Sequence, residues 1–266
     1  MKIASLKLVY FSPTGTTKAV VRAIGGGIRS GTAETIDITL PDARRAALRT
    51  SEADLLVLAV PVYMGRVPAL LSDWLDAMRA QNTPTVCVVV YGNRAYDDAL
   101  LELRNRVVDQ GGVPFAAGAF IGEHSFSDSE KPIATGRPNE DDLCRAAVFG
   151  RKIRSRLDSA PSASALSLVN VPGSFPYGGI TELWDVDFIA VDDRCTECGV
   201  CAGVCPMGAI DPEDGRSIDH VACITCCACI KRCPNGARTK KSGPVTDAQN
   251  RLLERCSEPK QPEFFL

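Results

Sequence analysis

Nine of the chain's twelve cysteines lie between Cys195 and Cys233, at the spacing of iron–sulfur ligands. CTECGVCAGVCP (195–206) superposes on CITCCACIKRCP (223–234) at a constant offset of 28 residues, and each reads C-x2-C-x2-C-x3-C-P. Two-residue gaps wrap three soft thiolates around one face of an iron–sulfur cube, and in this spacing the fourth cysteine ligates the other cluster. One [4Fe–4S] cluster then takes Cys195, Cys198, Cys201 and Cys233, and the second takes Cys223, Cys226, Cys229 and Cys205. Pro206 and Pro234 stop each run from continuing as a helix. Paired zinc sites would use four ligands each, without the third short gap or the C-P ending. Cys227 falls opposite Gly199, which is no ligand, so it reads as packing; exchanging it with Cys226 would break the repeat. Cys87 and Cys144 read as small core residues.

A second kind of chemistry is written near the N-terminus. An apolar run ends in Ser12-Pro13-Thr14-Gly15-Thr16-Thr17, where a helix begins, and hydroxyls with free N–H groups at a helix start bind anions. The alternative is an ordinary turn with a threonine-rich cap. The nucleotide pattern GxxxxGK[ST] is absent. Gly25-Gly26-Gly27 ends a helix and follows no strand, so it is no dinucleotide fingerprint.

These residues must be held by a scaffold. Apolar runs at 6–11, 34–39, 54–60, 85–91 and 114–122 alternate with helical patterns near 15–28, 67–80, 95–110 and 140–157. Three of the runs are apolar without alternation, as strands buried on both faces of a parallel sheet should be. The last helix starts at Asn139, with Glu140, Asp141 and Asp142 in its first turn. The pattern predicts an α/β doubly wound parallel sheet over 1–157, a Ser/Pro/Gly-rich linker over 158–190, the cluster domain over 191–240 and a tail helix within 241–266. For the tail, Thr246-x-x-Gln249 predicts the helix start.

In a five-stranded sheet of order 2-1-3-4-5, ligands bind beyond the carboxyl ends of the strands at the switch point. Two loops open there besides the threonine-rich one: Pro61-Val62-Tyr63-Met64-Gly65-Arg66 and Gly92-Asn93-Arg94-Ala95-Tyr96-Asp97. Aromatic groups, close-approach glycines and backbone donors suit a flat ring system. The long 122–138 segment opens on the same edge with His124, Ser125 and Arg137. It either faces that ring, with His124 as a proton donor, or docks the cluster domain; the alternative is that these residues only order the loop through hydrogen bonds. His220 reads as a packing or capping residue.

Near-balanced charge (30 Lys+Arg, 32 Asp+Glu) gives no basic field for nucleic acid, and no apolar run approaches the length of a membrane span. MKIASLKLVYFS reads as a first strand and not a signal peptide. Cysteines clustered at ligand spacing fit a reducing, cytoplasmic compartment.

FSPTGTT resembles the FMN-phosphate loop of flavodoxins, and PVYMGRVP, YGNRAYDDAL, GEHSFS and GRPNEDD resemble segments of bacterial and archaeal fusions of a flavodoxin domain to a dicluster ferredoxin. The resemblance implies a flavodoxin-like sheet joined to a small α+β ferredoxin domain, with FMN and two [4Fe–4S] clusters. It places the FMN phosphate at Ser12, Thr14, Gly15, Thr16 and Thr17, and the ring near Tyr63, Gly65, Asn93 and Tyr96. Pro61, Val62, Met64, Gly92, Arg94 and Asp97 complete the candidate ring loops. The expected function is electron transfer between FMN, the clusters and a partner redox protein, in an anaerobic setting. The alternative is an FMN-dependent reductase of a small molecule, fed by the clusters, with the 122–138 loop forming its pocket.

Overall fold

The computed structural model describes residues 1–179 and 185–266; the middle of the expected linker, 180–184, lies outside the described residues. In chain order the first half forms β1 (Ser5–Tyr10), α1 (Thr16–Ile28), β2 (Ala33–Asp37), β3 (Arg49–Ser51), β4 (Asp54–Pro61), α2 (Ser72–Ala77), β5 (Arg79–Gln81), β6 (Pro84–Tyr91), α3 (Ala99–Asp109), β7 (Val113–Ile121) and α4 (Glu140–Ser159). The second half forms β8 (Ile189–Val191), α5 (Val200–Gly203), α6 (Ala228–Lys231), β9 (Arg238–Lys240), α7 (Pro244–Arg255) and β10 (Glu263–Phe265).

The main sheet runs β2-β1-β4-β6-β7-β10. Its first five strands are parallel and give the expected 2-1-3-4-5 order. Alternate residues of the central strands serve two cores. Val9, Leu56, Leu58 and Val89 face α2 and α3, while Leu8, Val57, Val88 and Phe120 face α1 and α4. Both faces are therefore covered, as continuous apolar strands require. Asn139 caps α4 as expected, accepting from the Asp142 N–H, and the Asp142 carboxylate accepts from the Asn139 N–H.

The glycines at the end of α1 have a packing role beyond termination. A Cβ on Gly27 would lie 2.1 Å from the Ala147 carbonyl oxygen, and one on Gly150 would lie 2.2 Å from that of Ile24. The two helices thus cross backbone against backbone, where only hydrogen fits.

The C-terminal segment departs from expectation in two ways. Its helix starts at Pro244 after Gly243, with Thr246 Oγ1 bonded to the Gly243 backbone, so Thr246 is inside the helix and not its cap. Past the helix, β10 adds antiparallel to β7 and covers that sheet edge, so the tail is a helix and a strand. The described part of the linker is strapped to the first domain: Leu166 and Val169 are buried in its cores, and Asp98 accepts N–H bonds from Ser174 and Gly178.

In the cysteine region, β8 pairs antiparallel with β9, and α5 and α6 are single turns carrying Cys201 and Cys229. The repeat is visible in the backbone. Positive φ recurs at Glu197 and Thr225, at Gly199 and Cys227, and at Gly208 and Gly236. Ile224, Cys226 and Ala228 join the core that contains the first domain's Val60 and Tyr91, so the two regions share packed interior.

Candidate functional site

A cavity of about 320 Å³ opens at the carboxyl ends of the parallel strands, within the range that suits a cofactor-sized ligand. Its first wall is the loop between β1 and α1. Gly15 adopts φ 95° and stands at the N-cap of α1 with no cap from its own side chain, leaving the Thr16 and Thr17 N–H groups available to an anion. Ser12 Oγ accepts from the Lys18 N–H at 3.0 Å, which closes the loop. Thr17 Oγ1 is buried and has no hydrogen-bond partner, a cost that a bound phosphate oxygen would remove. Arg232, from the second cysteine run, adds a positive charge here: its Nη2 lies 3.0 Å from the position of a Gly15 Cβ.

The second wall is a tight turn. Tyr63 and Arg66 exchange backbone hydrogen bonds of 3.0 Å, with Met64 and Gly65 both at positive φ, the geometry of a type I′ turn. Gly65 is required twice over, since a Cβ there would also lie 2.4 Å from an Asp97 carboxylate oxygen. Buried Glu102 fixes the turn from below, accepting from Arg66 Nε at 2.7 Å and from the Val67 N–H at 3.0 Å. Pro61, Val62, Tyr63 and Met64 line the cavity. Burial raises the Tyr63 hydroxyl well above its ordinary value, with the thiols of Cys226 and Cys227 adding to the effect.

The third wall combines Gly92 and Arg94 with His124. A Cβ on Gly92 would collide with the imidazole, so glycine admits that ring. His124 Nδ1 accepts the Phe126 N–H at 3.0 Å, which leaves the proton on Nε2. Burial, then the charges of Lys231, Lys240 and Arg94, push its pKa down to about 4, so the ring is neutral near pH 7. It can offer an N–H but holds no extra proton there.

Asn93, Tyr96 and Asp97 stand away from the cavity. Asn93 is buried and grips the tail, donating to the carbonyls of Cys256 and Glu258 at 2.8 and 2.9 Å and accepting from the Lys260 N–H. Tyr96 packs edge-on against Tyr91 and donates to Glu263 of β10 at 3.0 Å. Asp97 pairs with Arg94. Their partners lie in the tail or in their own loop, so they shape the cavity from behind. The sequence reading missed Tyr91, Ile224, Thr225, and Arg251, Leu252 and Arg255 of α7, all of which line the cavity. The i, i+4 spacing of Arg251 and Arg255 was the one available signal.

The 122–138 segment docks the cysteine region. Lys231 Nζ lies 2.5 Å from Glu123 Oε1, and Lys240 Nζ lies 2.6 Å from Asp128 Oδ2. Gln249 of α7 donates to the same carboxylate at 2.9 Å. Burial alone would raise Asp128, but bonds from Lys240, Gln249 and the Lys131 N–H outweigh it and hold its pKa at about 2. Arg137 instead pairs with Asp142 at the start of α4. Arg44 Nη2 donates to the Pro206 carbonyl at 2.6 Å, a second tie between the regions. His220 Nε2 lies 3.5 Å from Asp187 Oδ1.

All twelve cysteines are free thiols, the eight at ligand spacing among them. Cys205, Cys223, Cys226 and Cys229 line one small void together with Cys227, Ile210 and Ile218. Burial pushes the Cys229 thiol up to about 12, against the charge of Arg238, which lowers it. Cys227 occupies the left-handed position held by Gly199 in the first run and directs its thiol to the Thr225 carbonyl at 3.7 Å. Cys87 is buried in the sheet, whereas Cys144 is exposed and is no core residue.

Residues 15–126 match the family model for NADPH-dependent FMN reductase, and residues 189–211 match that for the 4Fe-4S binding domain. An uncharacterized protein from the rpl9–rpl11 intergenic region of Porphyra purpurea is 29% identical over 73 residues, 24% of this chain and 89% of that protein. Among solved structures, an archaeal flavodoxin is 18% identical, covering 58% of this chain and 99% of its own at a TM-score of 0.41. The apo form of the NADH:FMN oxidoreductase EMOB is 20% identical, covering 62% and 94% at 0.42. The chain thus combines an FMN-binding flavodoxin-like domain with a 4Fe–4S domain whose cysteines fit two clusters. No helix among the described residues is long and apolar enough to cross a membrane.

Proposed function

We propose that this chain, a flavodoxin-like domain fused to a 4Fe–4S ferredoxin domain, relays electrons between FMN and a partner redox protein through two clusters in a fixed order. One observation carries the reading: Ile224 and Thr225, the residues between Cys223 and Cys226, form part of the wall of the flavin cavity. The cluster bound by Cys223, Cys226, Cys229 and Cys205 is then next to the flavin. The cluster of Cys195, Cys198, Cys201 and Cys233 is outermost, and Cys198 is exposed. When bound, FMN exchanges one or two electrons and each cluster exchanges one, so the chain links two-electron to one-electron chemistry.

The chain's own residues do the placing. Ser12, Thr14, Gly15, Thr16 and Thr17 would hold the phosphate, joined by Arg232. The 61–66 turn, fixed by Glu102, would present Tyr63 between the flavin ring and Cys226. Gly92 admits His124, whose neutral imidazole offers an Nε2–H toward the ring without adding charge. The Lys231–Glu123 and Lys240–Asp128 pairs keep the distance between the redox groups constant.

Anaerobic purification should give about eight irons, eight sulfides and one FMN per chain. Freeze-quench reduction by a low-potential protein donor should then show cluster reduction ahead of flavin reduction. Flavin reduced first by that donor, or a preparation with zinc or no flavin, would overturn the reading. The match to an NADPH-dependent reductase model motivates a second reading, a reductase fed by nicotinamide. Rapid oxidation of NADPH by the purified protein, with turnover of a small-molecule acceptor, would favour it.

A further inference from the structure

We propose that Arg238 is a potential-setting residue: buried against the outer cluster, it makes that cluster the more easily reduced of the two. The proposal rests on the two-cluster reading above and concerns what distinguishes the clusters.

The duplication identifies the position. At the offset of 28 residues, Gly208-Ala209-Ile210 of the first repeat corresponds to Gly236-Ala237-Arg238 of the second. Ile210 is buried at 4% exposure and Arg238 at 3%, so an arginine occupies an interior site that its repeat partner fills with an aliphatic side chain. Ile210 lines the void surrounded by Cys205, Cys223, Cys226 and Cys229, the inner cluster's ligands. Repeat symmetry therefore turns Arg238 toward the outer cluster, although its charge also reaches Cys229, a ligand of the inner one. The surroundings agree: Arg238 Nη2 donates to the Gly215 carbonyl, and a Cβ on Gly215 would lie 3.4 Å from Cys201 Sγ and 3.6 Å from that same Nη2.

Nη1 is buried with no hydrogen-bond partner, and no ion pair among the described residues involves Arg238. A guanidinium taken out of water without a counter-charge is costly. A four-iron cluster on four thiolates is an anion, and adding one electron makes it more negative by one. A fixed cation with a free N–H beside its sulfurs stabilises the reduced form more than the oxidised one, which raises the potential. At the inner cluster the corresponding Ile210 offers neither charge nor N–H, so that cluster feels Arg238 only from the side of Cys229. The pair is thereby made unequal, and in the half-reduced protein the electron sits on the outer cluster, at the partner-facing end.

The test is an EPR-monitored redox titration of the cluster-loaded full chain, with iron and sulfide assayed on the same samples. Wild type should show two one-electron steps separated by at least about tenfold in occupancy, equal to ~59 mV. Arg238→Ile, which installs the repeat partner's residue, should lower the upper step by about that amount and the lower one by less. Arg238→Lys should retain most of the separation. Coincident steps in wild type, or an Arg238→Ile titration unchanged at full iron content, overturns the proposal. If Arg238→Ile fails to hold its clusters, Arg238→Gln decides, since it keeps an N–H donor and must still lower the upper step. Wild-type iron well below eight per chain would instead refute the two-cluster reading.

Discussion

Replacing Gly150 by alanine adds one methyl group at the crossing of α1 and α4. On helix propensity alone alanine is better by about 0.8–1 kcal/mol. The structure reverses the sign. The new Cβ would sit 2.2 Å from the Ile24 carbonyl oxygen and 3.0 Å from Gly27 Cα and the Ile28 nitrogen. These are backbone atoms, so no rotamer change relieves the overlap and the helices must separate. Overpacking of this kind typically costs 1–3 kcal/mol, and the separation also loosens Ile24, Ile28, Phe149 and Ile153 in the core they share. The two opposing effects leave a net loss of up to about 2 kcal/mol, which for a chain of this size lowers Tm by up to about 8 °C.

Gly26 is the internal control. It lies on the same helix as Gly27, but nothing stands within 4 Å of its Cβ position. Gly26→Ala should therefore gain stability, about 0.5–1 kcal/mol and a few degrees. Far-UV circular dichroism melts of the cofactor-loaded protein under anaerobic conditions compare the two. Because α1 begins at the phosphate loop, Gly150→Ala should also weaken FMN binding, and Gly26→Ala should not. If both substitutions move Tm in the same direction, the close crossing of α1 and α4 is wrong.

In Cys205→Ser, mass-spectrometric thiol labelling should find Cys223, Cys226 and Cys229 newly reactive, with Cys195, Cys198 and Cys201 protected; the reverse would refute crossed ligation. Arg232→Ala should raise the Kd for FMN roughly fivefold and leave that for riboflavin unchanged, a difference read by flavin fluorescence that isolates the phosphate. Lys231→Glu and Glu123→Lys should each lower the urea midpoint, while the double exchange recovers about 0.5–1.5 kcal/mol of the combined loss. For His124, the folded pKa of about 4 lies below the unfolded value near 6.5, so the unfolded chain binds more protons between them. Its contribution is present above pH 6.5 and lost as pH falls toward 4, and His124→Gln should flatten stability across that window in pH-dependent urea titrations.

The features legible in the sequence were those set by local period or fixed spacing. Buried parallel strands announce themselves as unbroken apolar runs, and β4 and β6 are buried nearly end to end. Asn139 with its acidic first turn marks a helix start wherever the rest of the chain lies. Cluster ligands obey a spacing dictated by the cube. The ring loops were different. Asn93 and Tyr96 have the right chemistry for a flavin edge, but their partners, Cys256, Glu258, Lys260 and Glu263, lie more than 160 residues away. No local signal reports such a pairing. The three-residue β10 is likewise too short to show a period, and Thr246 misled because a hydroxyl three residues inside a helix can bond back to the cap backbone as well as a cap can.

The contact between the two domains bears on how the molecule works. A ferredoxin tethered by a linker would vary its distance to the flavin, and its electron transfer would depend on encounter. Here Ile224, Cys226 and Ala228 belong to the same packed core as Val60 and Tyr91, and Arg44, Glu123 and Asp128 tie the regions at separate points. Substitutions at the 61–66 turn should therefore alter the inner cluster as well as the flavin. Tyr63 is the place to look, because it lines the cavity and packs against the core that contains Cys226. Tyr63→Ala should shift the inner cluster's potential while leaving the outer one's in place. If both cluster potentials stay fixed while FMN affinity falls, the second cysteine run is a neighbour of the flavin site and not part of it.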